Sequence, residues 1–439
     1  MPRQRHYQPL NVFLNSRHVG QLRRKQTGAI EFQYDPAWLA WENALPVSIS
    51  LPLREDAYAG EPVLAVFEGL LPDNDEIRRK VAARVHAGGT DAYSLLGAIG
   101  HDCVGALQFL PLGSDPGPAG EVKGTPIDDD EIADLIANLG TAPLGIGEDA
   151  GFRISIAGAQ EKTALLFWQN RWYKPEGATA TTHIFKPSIG QIPHGLDLTF
   201  SVENEYLCLK LLEAFGLPAA KTSMATFGER RVLIVERFDR RWTKDHRLLR
   251  LPQEDCCQAL SVPPTRKYQS DGGPGVEAIV KFLRGSDSPQ EDQSKFLKAV
   301  IAFWLLGATD GHAKNFSLFV SPGGRYRMTP LYDVLSTQPN VDAGQIRQNR
   351  FRLAMAVGDN RHWVMDQIVP RHFVQSARSA GVGEKVVGAI LEELGDTALT
   401  KVEETLASIP SDFPGEVAAP IHAGIQKRLN SITLWRPAG

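Results

Sequence analysis

Cysteine is scarce in this chain, and there is no excess of positive charge. Four cysteines occur among 439 residues, and none stands in a CxxC pair or at the Cys/His spacing of a zinc site. A disulfide framework and a structural zinc are therefore not indicated, and we expect four small buried thiols in a reducing compartment. The net charge of −4 implies no general attraction to nucleic acid, so DNA binding would need a local patch or a partner protein.

Long apolar runs are also missing. The longest, residues 299–308, is far shorter than the roughly 18 residues that a membrane span needs. The first twenty residues carry positive charge but no continuous apolar stretch, so no signal peptide is predicted. We therefore expect a cytoplasmic protein without membrane contact. What is present is ordinary for a globular protein, with 43% hydrophobic and 22% charged residues and a length that suits two or three domains.

The character of the sequence changes along the chain. Residues 1–126 have mixed strand and helix patterns and end in a Gly/Pro-rich stretch, "GSDPGPAGEVKGTP", which is typical of a linker. Residues 127–439 form the second predicted domain. Short strands dominate from about 145 to 270, and helices dominate from about 275 to 439. A strand-rich part followed by a helical part is the order of lobes in a kinase.

Several local patterns give predictions about single elements. The alternating residues 152–156 predict a strand, and Gln169–Asn170 predict a hairpin turn between two further strands. Residues 200–216 predict a helix, with Ser201 as its cap and Gly216 just after its end.

The stretch "ATDGHAKNF" follows the longest apolar run and carries unusual chemistry. Asp310 and Asn315 stand five residues apart, which is the spacing of the kinase catalytic loop H-R-D-x-x-x-x-N. In that loop the Asp accepts the proton of the substrate hydroxyl and the Asn binds Mg²⁺. A helix end with a simple Asx turn is the alternative. Asp333 follows in "MTPLYD", where a kinase would carry its second metal-binding carboxylate, although the Phe-Gly of D-F-G is missing.

Two upstream features would complete a nucleotide site. Lys186 ends the apolar strand pattern "THIFK", as the phosphate-contacting lysine of kinases ends V-A-I-K. Its ion-pair partner would be Glu203 or Glu205, and the sequence does not choose between them. Small residues in "RISIAGAQEKTAL" would let backbone N–H groups approach phosphate oxygens. This stretch is not a Walker A loop, because Glu161 replaces a required Gly and a strand pattern follows instead of a helix.

These stretches together resemble the HipA toxin kinases, bacterial serine/threonine kinases of type II toxin–antitoxin modules. The resemblance extends from about residue 45 to 375. Its most specific parts are "FRISIAGAQEKTALL" and "LLGATDGHAKNFSL", supported by the following shorter stretches: "SISLPL", "LLPDN", "AYSLLGAIGHDCVGAL", "THIFKP", "VENEYLCL", "VERFDRR", "LPQEDCCQ", "YQSDGGPG" and "MTPLYD". It implies an α+β, two-lobed, phosphatidylinositol-kinase-like fold with an N-terminal mixed α/β subdomain.

The resemblance also implies a role for individual residues. Asp310 would be the catalytic base, and Asn315 and Asp333 would be the Mg²⁺ ligands. Ser155 would be the site of autophosphorylation. The remaining ATP-binding residues would be the phosphate loop Ala157, Gly158, Ala159, Gln160, Glu161 and Lys162, the phosphate contact Lys186, the hinge Glu236, Arg237 and Phe238, and the pocket residues His312, Lys314 and Tyr332.

Partners follow from the same resemblance. It implies a helix-turn-helix, HipB-like antitoxin, operator DNA reached mainly through that antitoxin, and an aminoacyl-tRNA synthetase such as glutamyl-tRNA synthetase as the protein substrate. Arg371 and Arg378 are candidates for a direct DNA contact, although Gly381 stands where another basic residue would be expected. The alternatives are a catalytically silent corepressor and a lipid kinase; the second would rest on fold analogy alone.

Overall fold

The computed structural model of the chain describes residues 7–146, 152–192 and 195–435. The strands in these ranges are β1 (Leu10–Leu14), β2 (Arg17–Arg24), β3 (Ile30–Tyr34), β4 (Tyr58–Ala59), β5 (Leu107–Pro111), β6 (Gly124–Ile127), β7 (Thr163–Trp168), β8 (Arg171–Pro175), β9 (His183–Pro187), β10 (Gly190–Ile192), β11 (Leu196–Leu198), β12 (Thr222–Phe227), β13 (Arg230–Glu236), β14 (Arg240–Trp242), β15 (Leu248–Arg250), β16 (Gln253–Asp255), β17 (Ser317–Ser321), β18 (Arg325–Met328), β19 (Arg352–Val357) and β20 (His362–Val364).

The α-helices in the same ranges are α1 (Pro36–Leu39), α2 (Glu61–Glu68), α3 (Asp75–Arg84), α4 (Ala92–Ile99), α5 (Asp129–Ala137), α6 (Ser201–Ala214), α7 (Cys256–Ala259), α8 (Val276–Phe282), α9 (Pro289–Leu306), α10 (Gln338–Asp342), α11 (Pro370–Ser379), α12 (Glu384–Ser408) and α13 (Gly415–Thr433). None of them is long and apolar enough to cross a membrane. The four cysteines are buried and unbridged, which confirms their predicted role as small apolar groups.

The chain forms two units, each assembled from separate segments. The first unit contains Met1–Pro187, Ala225–Thr265 and Leu318–Arg325. The second unit contains the remaining segments: Ser188–Met224, Arg266–Ser317 and Tyr326–Gly439. The predicted domain boundary between residues 126 and 127 lies inside the first unit, where β6 from the linker pairs with β8.

The first unit begins with an antiparallel sheet in the strand order β4-β3-β2-β1-β5. Alternate residues of β3, such as Phe32, face the apolar core beneath the sheet, as the period of two in a half-buried strand requires. The segment 152–156 is not the predicted strand. Its alternating residues Phe152, Ile154 and Ile156 are buried in this same core. The alternation therefore reflects burial of one side of residues 152–156, although their backbone is not part of a β-strand.

A second sheet of the first unit holds Lys186. The strands follow the order β13-β9-β7-β8-β6, with residues 225–227 of β12 at the β13 edge. β9 lies between β13 and β7, and Lys186 stands opposite Leu233 of β13. The predicted turn between β7 and β8 is confirmed, since Gln169 and Asn170 both have positive φ, 48° and 59°, as a type I′ hairpin requires.

The second unit is mostly helical. α9 packs against α6, α8, α11, α12 and α13 and buries large apolar side chains such as Phe296 and Trp304. The predicted helix at 200–216 is observed as α6, and Gly216 follows its end with a φ of +80°. Ser201 is not the cap: it is the first helical residue, and its hydroxyl accepts a hydrogen bond from the Ile189 amide at 2.9 Å.

Candidate functional site

The loop after α9 presents Asp310. Gly307 ends the helix in the left-handed conformation, at φ +69°, and its N–H donates to Phe303 and Trp304 carbonyls. Gly311 is required next, because a Cβ there would lie 2.4 Å from a ring carbon of Phe303. The tight loop leaves the Asp310 side chain 59% exposed, while the residues that follow turn into the protein.

Two aromatic residues of the second unit face the Asp310 carboxylate. The Tyr268 hydroxyl donates to Asp310 Oδ1 at 2.6 Å, and His312 Nε2 lies 4.0 Å from the same oxygen. The two rings meet edge to face, with centroids 4.8 Å apart. Tyr268 stands in "YQSDGGPG", 42 residues before Asp310, and its sequence position alone gave no sign of this contact.

The structure brings Asn315 and Asp333 together. The side-chain amide of Asn315 donates from Nδ2 to the backbone carbonyl of Asp333 at 3.1 Å. Asn315 is buried, and Asp333 adopts a φ of +59°, a conformation that costs a non-glycine residue about 1–2 kcal/mol. Strain of this kind is found at functional sites more often than elsewhere. The pair supplies a carboxylate and an amide oxygen, which are hard ligands that suit Mg²⁺.

A short polar chain connects the two segments that carry these ligands. The Tyr332 hydroxyl donates to the Lys314 carbonyl at 3.0 Å and lies 2.5 Å from the Ser317 hydroxyl. Tyr332 thereby links the residue before Asp333 to the residue before Asn315. Sequence reasoning placed Tyr332 and Lys314 at the nucleotide but missed Ser317. His312 and Lys314 are both buried.

Lys186 and its proposed partners occupy different units. Lys186 is buried on β9 of the first unit, with 6% of its surface exposed. Glu203 and Glu205 are both buried on α6 of the second unit. The ion pair of Lys186 with Glu203 or Glu205 stays a prediction.

The predicted phosphate loop, residues 157–162, is a compact turn of the first unit. The Lys162 ammonium donates to the Ala157 carbonyl at 2.7 Å, and the Gln160 amide donates to the Pro187 carbonyl at 2.9 Å. Gly158 has a φ of +111°, and a Cβ there would lie 2.4 Å from Lys162 Nζ. Its carbonyl accepts from the Asp73 amide, so the loop is held against "LLPDN". Ala159 and Glu161 are exposed.

The hinge candidates differ in their surroundings. Glu236 ends β13 opposite His183, and Phe238 packs edge-on against Phe319. The Arg237 amide donates to Thr182, and the Arg237 carbonyl accepts from Arg240. Both backbone groups of Arg237 are thus committed within the protein, so hinge contacts to a base would come from its two neighbours.

The Arg237 side chain belongs to a buried charge cluster that sequence reasoning missed. The cluster contains Asp102, Asp239, Arg237, Arg240 and Arg250, all within the first unit. Asp102 receives hydrogen bonds from all three guanidinium groups, at 3.2, 2.8 and 2.9 Å. Burial opposes ionisation of Asp102, but the three arginines outweigh it and hold its pKa well below the usual range. Residues 135 or more positions apart form these bonds, so no local pattern signals them.

Ser155 lies next to this cluster and is fully buried. Its hydroxyl donates to the Leu70 carbonyl at 2.8 Å, and its amide donates to the Asp102 carbonyl at 2.9 Å.

Arg378, the DNA-contact candidate in the second unit, is exposed and forms ion pairs with two carboxylates. Its guanidinium lies 3.2 Å from Asp359 and 3.6 Å from Glu384.

Comparisons with known proteins agree on one family. The model of the HipA N-terminal domain matches residues 10–110, and the model of the HipA-like C-terminal domain matches residues 154–402. The protein "Putative kinase Y4mE" of Sinorhizobium fredii is 36% identical over 401 residues, which cover 90% of this chain and 91% of that protein. The serine/threonine-protein kinase toxin HipA of Shewanella oneidensis is 29% identical over 366 residues, covering 80% of this chain and 78% of that protein.

A solved structure shows the same fold. The complex of HipA, HipB and operator DNA from Shewanella oneidensis contains a chain that matches with a TM-score of 0.80 at 24% identity, over 98% of this chain and all of that one. This similarity confirms the predicted α+β, two-lobed kinase-like fold.

Proposed function

Because the chain belongs to the HipA family, we propose that it is an ATP-dependent protein serine/threonine kinase that acts as the toxin of a toxin–antitoxin module. The observation that carries the proposal is the second unit's loop after α9. It presents an exposed Asp310 carboxylate and, five residues on, an Asn315 whose side chain is bonded to the backbone of Asp333. A general base and two hard metal ligands are the protein groups that phosphoryl transfer uses most directly.

In the proposed reaction, Asp310 orients the serine hydroxyl of the substrate and accepts its proton as the oxygen attacks the γ-phosphorus of ATP. The bond from that phosphorus to the bridging oxygen breaks, and ADP leaves. The 59% exposure of the Asp310 side chain suits a group that must meet a protein substrate. When the substrate is bound, the Asp310 carboxylate would lie within hydrogen-bond distance of the attacking hydroxyl oxygen.

Further residues are proposed as contacts to the nucleotide. Lys186 would neutralise phosphate charge from the end of β9. In the loop of residues 157–162, small side chains leave backbone N–H groups accessible to phosphate oxygens. The Lys162 ammonium, which donates to the Ala157 carbonyl, would also contact a phosphate oxygen. Glu236 and Phe238 would offer backbone groups to the adenine.

The residues present fit a magnesium ion. Asn315 donates through Nδ2, so its Oδ1 is directed away from that bond as a ligand atom, and Asp333 supplies a carboxylate. Mg²⁺ commonly takes one or two protein oxygens and completes its shell with phosphate and water. When bound, the ion would neutralise charge on the phosphates.

Replacement of Asp333 by Asn is expected to weaken ATP binding by about 10- to 100-fold in the presence of Mg²⁺, and hardly at all in its absence. Asparagine tolerates the positive φ of this position, so the backbone is kept while the charged ligand is lost. Calorimetric titration with ATP, with Mg²⁺ or with a chelator, measures both affinities. Asp287→Asn, at an exposed aspartate of the same unit, is the control. Equal affinity of the Asp333 variant and the wild type at saturating Mg²⁺ would remove Asp333 from the site.

The proposed regulation is autophosphorylation of Ser155. A phosphate carries close to two negative charges, and the buried position of Ser155 has no room or solvation for them. Phosphorylation therefore requires residues 152–162 to leave their packed position, which would disrupt the proposed phosphate loop. The bond from Ser155 to Leu70 must break first.

After incubation with Mg²⁺ and ATP, peptide mapping is expected to find phosphate on Ser155, and the modified protein is expected to lose ATP affinity. Ser155→Ala removes one buried hydrogen bond, at a cost of about 1 kcal/mol, and should retain ATP affinity under the same incubation. A phosphorylated Ser155 with unchanged ATP affinity would contradict the release of the loop. A wild type without phosphate on Ser155 would contradict the regulation itself.

The proposed partners are those of a toxin module. A HipB-like helix-turn-helix antitoxin would bind the chain and carry it to operator DNA, and an aminoacyl-tRNA synthetase such as glutamyl-tRNA synthetase would be the substrate. For a direct DNA contact through Arg378, a phosphate would have to displace Asp359 and Glu384. The solved HipA complex that this chain resembles contains both HipB and DNA.

A further inference from the structure

Tyr268 contacts Asp310 but takes no part in the proposed proton and phosphoryl transfers. The hydroxyl lies 2.6 Å from Oδ1, within the range of about 2.5–2.7 Å for an O–H donor on an ionised carboxylate. The Asp310 side chain is 59% exposed. A hydrogen bond to an exposed group contributes little to folding, because water would satisfy the same oxygen. The consequence of this bond is therefore the orientation of the carboxylate.

The position of Tyr268 is fixed by its own segment. Its carbonyl accepts hydrogen bonds from the Asp271 and Gly273 amides at 3.0 and 2.9 Å, which closes a tight turn after it. The next residue, Gln269, accepts from the Ala356 amide at 2.8 Å and so attaches the turn to β19. The phenol is therefore held by a rigid backbone, as a positioning group must be.

The ring of Tyr268 is also held. One edge-to-face contact is made with His312, and the Lys267 ammonium lies 5.5 Å from the ring centroid. His312 and Tyr268 both approach Asp310 from the Oδ1 side. Once Oδ1 is held, the direction of Oδ2 is also fixed. Oδ2 can then accept a hydrogen bond from the hydroxyl of a substrate.

We propose that Tyr268 is a positioning residue for phosphoryl transfer, which holds Asp310 Oδ1 so that Oδ2 faces the hydroxyl of the protein substrate. The proposal rests on the assignment of Asp310 as the base. It assigns no proton transfer to Tyr268: the phenol keeps its proton, and the substrate proton goes to Oδ2. Loss of the hydroxyl should leave the carboxylate present but poorly oriented.

Tyr268→Phe tests the proposal, because it removes only the hydroxyl and keeps the ring against His312. We expect kcat to fall by roughly 10- to 100-fold, the order that a misplaced catalytic group costs, with KM for ATP and ATP affinity unchanged. Tyr326→Phe is the matched control. Its hydroxyl donates at the same 2.6 Å, to the Phe282 carbonyl in the same unit, away from Asp310. This control is expected to retain wild-type kcat.

A double-mutant cycle separates positioning from a structural effect. If Tyr268 acts through Asp310, the Tyr268→Phe change should lower the residual rate of Asp310→Asn no further. An unchanged kcat in Tyr268→Phe overturns the proposal, and so does a raised kcat, which would identify the hydroxyl as a blocking group. A parallel loss of ATP affinity and thermal stability also overturns it, because it indicates local unfolding. Failure of the underlying assignment looks different: the wild type then transfers no phosphate, or Asp310→Asn is as active as the wild type.

Discussion

Replacement of Asp310 by Asn is expected to lower phosphoryl transfer to a protein serine by about 10²- to 10⁴-fold, the contribution typical of a general base. The amide keeps the size of the carboxylate, and its oxygen can still accept from the Tyr268 hydroxyl. The side chain is exposed, so no buried charge is created or lost. The free energy of unfolding should therefore stay close to that of the wild type. Initial rates with labelled ATP, together with a denaturation curve, measure both quantities.

Asp287→Asn is the control for this variant, since it removes the same charge from an exposed position in the same unit. Its transfer rate is expected to equal that of the wild type. If Asp310→Asn retains the wild-type rate, Asp310 is not the base. If it loses the rate only because it unfolds, the denaturation curve shows this directly.

Replacement of Asp102 by Asn is expected to lower the free energy of unfolding by about 3–5 kcal/mol, which is the cost of breaking a buried ion pair by removing one partner. Asp239 would remain as the carboxylate partner of Arg237 and Arg240, and Arg250 would lose its ion pair with Asp102. Exposed ion pairs contribute far less, so Asp359→Asn, which disrupts the surface pair with Arg378, should cost no more than about 1 kcal/mol. Denaturant titration of the three proteins compares these costs. Equal stability of Asp102→Asn and Asp359→Asn would show that the cluster is not a major source of stability.

The same cluster gives a pH dependence with a definite sign. The pKa of Asp102 in the folded chain lies well below its ordinary value of about 3.8, so the contribution of its ionised carboxylate to stability is fully present above that value. As the pH falls below about 3.8, Asp102 becomes protonated in the unfolded chain but stays ionised in the folded chain. The stability that Asp102 contributes is therefore lost progressively. The difference in unfolding free energy between wild type and Asp102→Asn should therefore be largest near neutral pH and shrink under acid conditions.

The sequence is informative where the function depends on close neighbours in the chain. The spacing of Asp310 and Asn315 is local, and so are the positive φ angles of Gln169 and Asn170 and the helix end at Gly216. Asp333 could be placed beside Asn315 because kinases have a known order of motifs. The bond between Asn315 and Asp333 links residues only 18 positions apart.

The sequence is much less informative about contacts between distant residues. The alternating pattern indicates that Ile154 and Ile156 are buried on one side of their segment. The same pattern is expected for a β-strand and for an irregular segment that packs against an apolar core. The bonds from Tyr268 to Asp310 and from Arg237 to Asp102 depend on how the chain returns on itself. Ser201 is a further example, because its hydroxyl accepts a hydrogen bond from the Ile189 amide and does not cap its own helix.

The proposed transfer of the γ-phosphate of ATP to a protein serine can be measured with purified components. The purified chain is incubated with Mg²⁺, γ-labelled ATP and purified glutamyl-tRNA synthetase or another aminoacyl-tRNA synthetase, followed by mapping of phosphoserine. We predict label on a synthetase serine with the wild type and none with Asp310→Asn. A wild type that labels no serine in the synthetases or in itself, yet still binds a HipB-like antitoxin on DNA, would contradict the claim and identify a silent corepressor instead.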